Sequence, residues 1–149
     1  MERDIEIKDI ISSGVQIDAE ISPQLIVNIF VPNTPLHDGA IVISGGRIKA
    51  AACMLPLAAD KDIARELGTR HRAAIGISKE SDAVAIVVSE ETGKVSIAKD
   101  GVLIADVNEE AFKKILIKNL ITKRFSDKNS ERLTNIKQKF KKNKKEDKI

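Results

Sequence analysis

The chain has 149 residues, 42% of them hydrophobic and 32% charged, which suits one compact domain and is too apolar for wholesale disorder. No run approaches the roughly 20 apolar residues of a membrane span, and the opening residues do not read as a signal peptide. A single cysteine, Cys53, excludes an internal disulfide and a cysteine-built metal cage. Four Phe with no Trp or Tyr are too few for a base-stacking platform.

The formal charge of +3 is unevenly spread. Residues 126–149 hold nine Lys/Arg against four Asp/Glu, so the first 125 are mildly acidic and the basicity belongs to the tail. That lysine-rich tail reads as a frayed helix passing into disorder, a solvated segment rather than a specific nucleic-acid reader.

In chain order, Ile7, Ile10 and Ile11 have helical spacing and Gly14 stops that short helix. Ser22-Pro23 opens a second helix with a hydroxyl cap and proline at the first helical position; it runs through Leu25, Ile26, Ile29 and Phe30 and ends before Pro32. A proline-stiffened loop, Pro32–Gly39, leads to strands at Ala40–Ser44 and Arg47–Leu55 around the hairpin signal Gly45-Gly46. Both strands are apolar at nearly every position, which places them centrally in a sheet covered on two faces. A short helix over Lys61–Leu67 closes at Gly68, and Thr69 caps the next, Arg70–Ser78. Strands follow at Ala83–Ser89, Lys94–Lys99 and Val102–Ala105, and Asn108 with Glu109 and Glu110 opens a last helix carrying Phe112, Ile115, Leu116 and Leu120 on one face. The fold class is α/β: a mixed central β-sheet flanked by helices on both faces, in one domain over 1–125, then the tail 126–149.

Three loops hold polar residues that packing does not explain. In Leu36-His37-Asp38-Gly39-Ala40, an Asp followed by Gly at the start of an apolar strand lets a carboxylate and bare backbone approach a ligand, although an aspartate in a turn also serves by bonding its own backbone. In Gly68-Thr69-Arg70-His71-Arg72, two arginines and a histidine sit at a helix start, where the dipole disfavours cations. A bound polyphosphate would reverse that sign and collect guanidinium bonds; pairing with Glu66 or another carboxylate is the plainer alternative. In Ser89-Glu90-Glu91-Thr92-Gly93, adjacent carboxylates at a strand end could hold a divalent cation with help from His37 or Asp38, or form an exposed acidic turn. Together these supply what phosphoryl or nucleotidyl transfer needs: charge neutralisation, a metal, and activation of a hydroxyl. There is no P-loop, GxGxxG or HExxH. A hydrolase built from Ser89, His71 and Asp38 lacks a GxSxG elbow, and Cys53, in an apolar strand, reads as core.

LHDGA at 36–40 and GTRHRAA at 68–74, in order and with the hairpin between them, resemble the two signature motifs of the diadenylate cyclase (DAC) domain family; VSEETG at 88–93 and AACMLPL at 51–57 add to the likeness. It covers about Ile11 to Leu120 and is strongest to the membrane-anchored members of Gram-positive bacteria. The resemblance implies condensation of two ATP into cyclic di-AMP and two pyrophosphates across a face-to-face homodimer. By carry-over, Asp38 activates the 3′-hydroxyl, Gly39 admits the nucleotide, and Thr69, Arg70, His71 and Arg72 hold phosphates, with Ser89 adding a hydroxyl. Met54 and Leu55 line the adenine pocket, the first standing where the family often has an aromatic. His37, Asp38 and Glu91 are the implied metal ligands, for Mn²⁺, Mg²⁺ or Co²⁺. The family's transmembrane helices and an N-terminal strand have no counterpart here, so the resemblance implies a native location at the cytoplasmic face of the cell membrane and a chain soluble by itself. The alternative reading is a nucleotide-binding regulatory module without turnover; a basic-tailed RNA or membrane adaptor is a third.

Overall fold

The computed structural model describes residues 7–59 and 67–121. The chain divides into two compact units, Met1–Asp106 and Val107–Ile149. The helix expected over Lys61–Leu67 lies outside the described residues except for Leu67, and the basic tail lies wholly outside them.

The first unit opens with helix α1 (Ile7–Ser13), then strand β1 (Val15–Glu20), helix α2 (Pro23–Ile29), strands β2 (Ala40–Ser44) and β3 (Arg47–Cys53), helix α3 (Thr69–Glu80) and strands β4 (Ala85–Val88), β5 (Val95–Lys99) and β6 (Val102–Ile104). The α/β class is as the sequence indicates. The strands pair, all antiparallel, as two three-stranded ladders, β1-β3-β2 and β4-β5-β6, a finer division than one mixed sheet.

Local chemistry explains most elements. Ser22 Oγ accepts from Leu25 N–H at 3.1 Å, and Pro23 fills the first helical position of α2, where a missing N–H costs nothing. Gly45 and Gly46 both have positive φ, 60° and 77°, the conformation a two-residue hairpin demands, and Ser44 pairs with Arg47 across it. β1 is an element the sequence reading passes over. It alternates Val15, Ile17 and Ala19 with polar residues and pairs with β3, with a register irregularity between Gln16 and Ala19. At that bulge Asp18 takes φ 51°, and Arg47 ties it down: Nε donates to Asp18 Oδ1 at 2.8 Å and Nη2 to Asp18 O at 2.7 Å.

Of the two strands expected to be central, β3 is: Ile48, Ala50, Ala51 and Cys53 are all buried. β2 is instead an edge of the described ladder, and its Ile43 and Ser44 are exposed. Each ladder has its own core. Ile29 of α2 packs with Ile48 and Ala51, joined by Ile17, Leu25, Ile26, Leu36 and Ile41. Ala74 and Ile75 of α3 pack with Val87 and Ala98, joined by Ala58, Leu67, Ala85 and Leu103. α3 is further pinned where Ser78 Oγ accepts from Gly101 N–H at 3.1 Å.

In the second unit, Asn108 caps helix α4 (Glu109–Leu116) by accepting from Ala111 N–H at 2.8 Å, and Glu109 and Glu110 occupy its first turn, the favourable end of the dipole for acids. The helix widens into a π-turn at Ile117–Ile121. Among the described residues no helix is long and apolar enough to cross a membrane.

Candidate functional site

The hairpin fixes the first part of the site. Ala40, opening β2, pairs with Cys53, closing β3, so Asp38-Gly39 stands beside the point where the chain leaves β3 as Met54-Leu55. Register shifts between Ala40 and Val42 leave a bulge on β3, where Ala52 takes φ 52°. Gly39 presses against that bulge: with φ 124°, a Cβ on it would lie 2.6 Å from Ala52 C and 2.7 Å from Ala52 Cα. The neighbouring strand's backbone by itself makes glycine necessary here. Asp38 itself is exposed and makes no hydrogen bond or ion pair among the described residues. Met54 is 69% exposed; its N–H donates to Ser13 Oγ at 2.9 Å, and Leu55 is half-buried. In the turn before the strand, His37 is half-buried and its Nδ1 lies 2.6 Å from Thr34 O. A carbonyl can only accept, so Nδ1 carries the proton, and in the neutral ring Nε2 is the nitrogen left to bind a cation.

The second part is the start of α3. Gly68, not Thr69, is the N-cap, and it offers no side-chain bond; Thr69 is the first helical residue. The expected cap is displaced by one position, so no capping bond occupies the Thr69 hydroxyl. Arg70 is exposed, His71 and Arg72 half-buried, and there is no acid in the first turn.

The third part is the β4–β5 connection. Ser89 N–H donates to Lys94 O and Gly93 N–H to Ser89 O, both at 2.9 Å, closing a tight turn with Glu90 and Glu91 at its exposed tip. Ser89 Oγ accepts a long 3.4 Å bond from Thr92 N–H inside this turn.

Two of the three loops meet directly, because Arg70 Nη1 lies 2.6 Å from Glu90 Oε2. For Arg70, pairing with a carboxylate is realised, with Glu90 as the partner, whereas Arg72 Nε donates to Leu67 O at 3.4 Å. Sequence reasoning offers Glu90 only as one of two adjacent carboxylates for a cation, carries Glu91 forward as the ligand, and misses Glu90 as the partner of Arg70. The signal available was the uncompensated cation at a helix start, which calls for a carboxylate from elsewhere. No hydrogen bond or ion pair among the described residues joins Asp38 to α3; a chain segment connects them. After β3, Ala58 N–H donates to Arg72 O at 3.1 Å, and Gly76 leaves room for the Pro56 carbonyl. Cys53 and Ala58 are five residues apart, so at most about 18 Å of extended chain separates the Asp38 rung from α3.

Among the described residues no three His, Cys, Asp or Glu side chains lie close enough to share an ion, so His37, Asp38 and Glu91 form no protein cage within one chain. The donor types still suit a hard or borderline cation that takes most of its ligands from phosphate oxygens. Cys53 is 1% exposed and burial raises its thiol pKa, as befits a core residue.

Comparison with known proteins gives the arrangement its family. Residues 1–103 match the family described as DAC, DisA bacterial checkpoint controller nucleotide-binding. A diadenylate cyclase of Listeria monocytogenes serotype 1/2a is 54% identical over 120 residues, which is 80% of this chain and 44% of the relative. The cyclic di-AMP synthase CdaA of Bacillus subtilis strain 168 is 53% identical over 116 residues, 78% of this chain and 42% of that one. The chain thus spans a little under half the length of these curated relatives. The crystal structure of a double-cysteine variant of DacA from Staphylococcus aureus superposes with a TM-score of 0.75 at 47% identity, covering 79% of each chain. A hypothetical membrane spanning protein from Bacillus cereus gives 0.66 at 44% identity over 72% of this chain and 52% of that one. The chain belongs to the DAC family, the nucleotide-binding family of the DisA bacterial checkpoint controller.

Proposed function

We propose that the chain is the catalytic part of a diadenylate cyclase, a nucleotidyltransferase that condenses two ATP into cyclic di-AMP with release of two pyrophosphates. The observation that carries this is the likeness to relatives named diadenylate cyclase at 54% identity across the segments bearing the Asp38-Gly39 turn, the start of α3 and the Ser89–Lys94 turn. In the chemistry, the 3′-oxygen of each nucleotide attacks the α-phosphorus of the other. A phosphorus–oxygen bond forms, the bond to pyrophosphate breaks, and Asp38 takes the 3′-hydroxyl proton. Asp38 suits that role because it is exposed and unpaired among the described residues, so its carboxylate is not already committed.

The uncapped, acid-free first turn of α3, with Thr69, Arg70, His71 and Arg72, suits the triphosphate, where helix amides and guanidinium groups act together. Ser89 keeps its hydroxyl proton for a phosphate oxygen, since its Oγ only accepts within the turn. Met54 and Leu55 offer apolar surface for adenine. His37, through Nε2, and Glu91 are the side chains that would contribute to a Mn²⁺, Mg²⁺ or Co²⁺ ion carried mainly by the phosphates; such an ion neutralises charge on the triphosphate. One domain presents one nucleotide, so both attacks require two domains face to face, and the rate rises with the square of protein concentration while the dimer is weak. A membrane-associated native form is part of the same proposal, suggested by the Bacillus cereus neighbour's description as membrane spanning.

Incubation with ATP and Mn²⁺ yields cyclic di-AMP on this reading, and Asp38→Asn abolishes it without altering the melting temperature. ATP binding by folded wild-type protein with no product would select the nucleotide-binding module instead.

A further inference from the structure

The positive end of α3 carries Arg70 with no acid in its own first turn and no side-chain cap, so helix dipole and guanidinium repel each other locally. The compensating charge comes from across the unit, from Glu90 at the tip of the β4–β5 turn, with Nη1 and Oε2 2.6 Å apart. The exposure of the pair decides what it can do. A buried carboxylate would lock the arginine, because separating the two would strand a charge away from water. Here the side chains are 43% and 67% exposed, both can be rehydrated, and such pairs are worth little.

Resting on the reading that α3 takes nucleotide phosphates, we propose that Glu90 competes with phosphate for Arg70. Its carboxylate holds the guanidinium, yields it to an arriving triphosphate, and reclaims it as pyrophosphate leaves. A carboxylate so placed also repels any polyanion approaching the helix, so its effect on phosphate affinity is negative, whereas a positioning carboxylate would raise that affinity.

Calorimetric titration of the full chain with ATP, pyrophosphate and adenosine, using the wild type, Glu90→Gln, Arg70→Gln and the double variant, tests this. Glu90→Gln binds ATP and pyrophosphate about two- to fivefold more tightly, the range an exposed ion pair supports. Adenosine affinity is unchanged, the gain vanishes in the Arg70→Gln background, and it shrinks as salt is raised from about 50 to 500 mM. Unchanged or weaker ATP binding by Glu90→Gln, or a gain that persists without Arg70, overturns the competition while leaving the nucleotide reading intact. A wild-type chain that binds neither ATP nor pyrophosphate overturns both.

Discussion

Replacing Gly39 by alanine separates two explanations for the glycine of the Asp-Gly-Ala turn. If glycine is there to admit a nucleotide, the variant folds normally and loses only binding. The geometry points the other way, since the added Cβ would fall 2.6 Å from Ala52 C, 2.7 Å from Ala52 Cα and 3.0 Å from Cys53 N. All three are backbone atoms of a buried strand end, so no flexible side chain can swing aside. Overpacking of this kind costs about 1–3 kcal/mol. The backbone adds a second cost, because φ 124° is a region L side chains rarely adopt, worth about another 1–3 kcal/mol. Gly39→Ala therefore loses about 2–6 kcal/mol, against a total stability on the order of 5–15 kcal/mol. In a unit the size of Met1–Asp106, each kcal/mol moves the midpoint by about 4–8 °C, so a fall of at least about 8 °C is expected in a thermal melt followed by circular dichroism. Gly45→Ala is the control. Gly45 also has positive φ, at 60°, but nothing lies within 4 Å of its Cβ position, so only backbone strain of about 1 kcal/mol remains. Gly39→Ala melting within about 2 °C of wild type while failing to bind ATP would refute the structural explanation and restore the ligand-based one.

Two other substitutions probe the frame around the site. Gly76→Ala drives a Cβ into the Pro56 carbonyl where α3 meets the segment after β3, and a loss of about 2–4 kcal/mol is expected in urea unfolding. Combined with Gly39→Ala it costs less than the two losses added together, because displacing one segment relieves both clashes. Asp18 has a lowered pKa, chiefly through its hydrogen bond from Arg47, then the charges of Arg47 and Lys49. Its ionised form is thus favoured in the folded chain, so the stabilisation is complete above the ordinary carboxylate range and fades as pH falls through that range toward the lowered value. Asparagine tolerates the positive φ at 18, so the difference in melting temperature between wild type and Asp18→Asn, positive at pH 7, closes as the pH is taken to about 2.

What the sequence discloses and what it conceals divide along the range of the forces involved. The Gly45-Gly46 hairpin and the caps at Ser22 and Asn108 are legible because a few adjacent residues determine them. The three polar loops are legible for a related reason: each sets charges where no local packing asks for them. β1 escapes despite its alternation because Asp18 and Glu20 are poor strand formers and Gly14 reads as a helix stop, while the strand owes its existence to pairing with β3, about thirty residues on. The choice between Glu90 and Glu91 is concealed likewise, since neighbouring carboxylates on a turn are equivalent until its direction in space is known. The shift of the cap from Thr69 to Gly68 is a one-residue matter of where the backbone first becomes helical.

The deeper concealment concerns residues 51–58. Gly14 leaves room for the Ala51 carbonyl and the Cys53 sulfur, Gly39 for the backbone at Ala52 and Cys53, and Gly76 for the Pro56 carbonyl. Three glycines, one after α1, one before β2 and one within α3, thus close on one stretch of chain, the one that carries Met54 and Leu55 from the Asp38 turn toward Arg72. Each acts by having no side chain, and a missing side chain leaves no hydrophobic period or charge from which its neighbour could be inferred. Sequence inspection assigns Gly14 to a helix stop and passes over Gly76 inside a helix, where glycine ordinarily costs stability. Their cost is offset by close packing that no larger residue permits. The spacing between the carboxylate turn and the cationic helix start is therefore set by backbone lying on backbone, a stiffer support than side-chain packing.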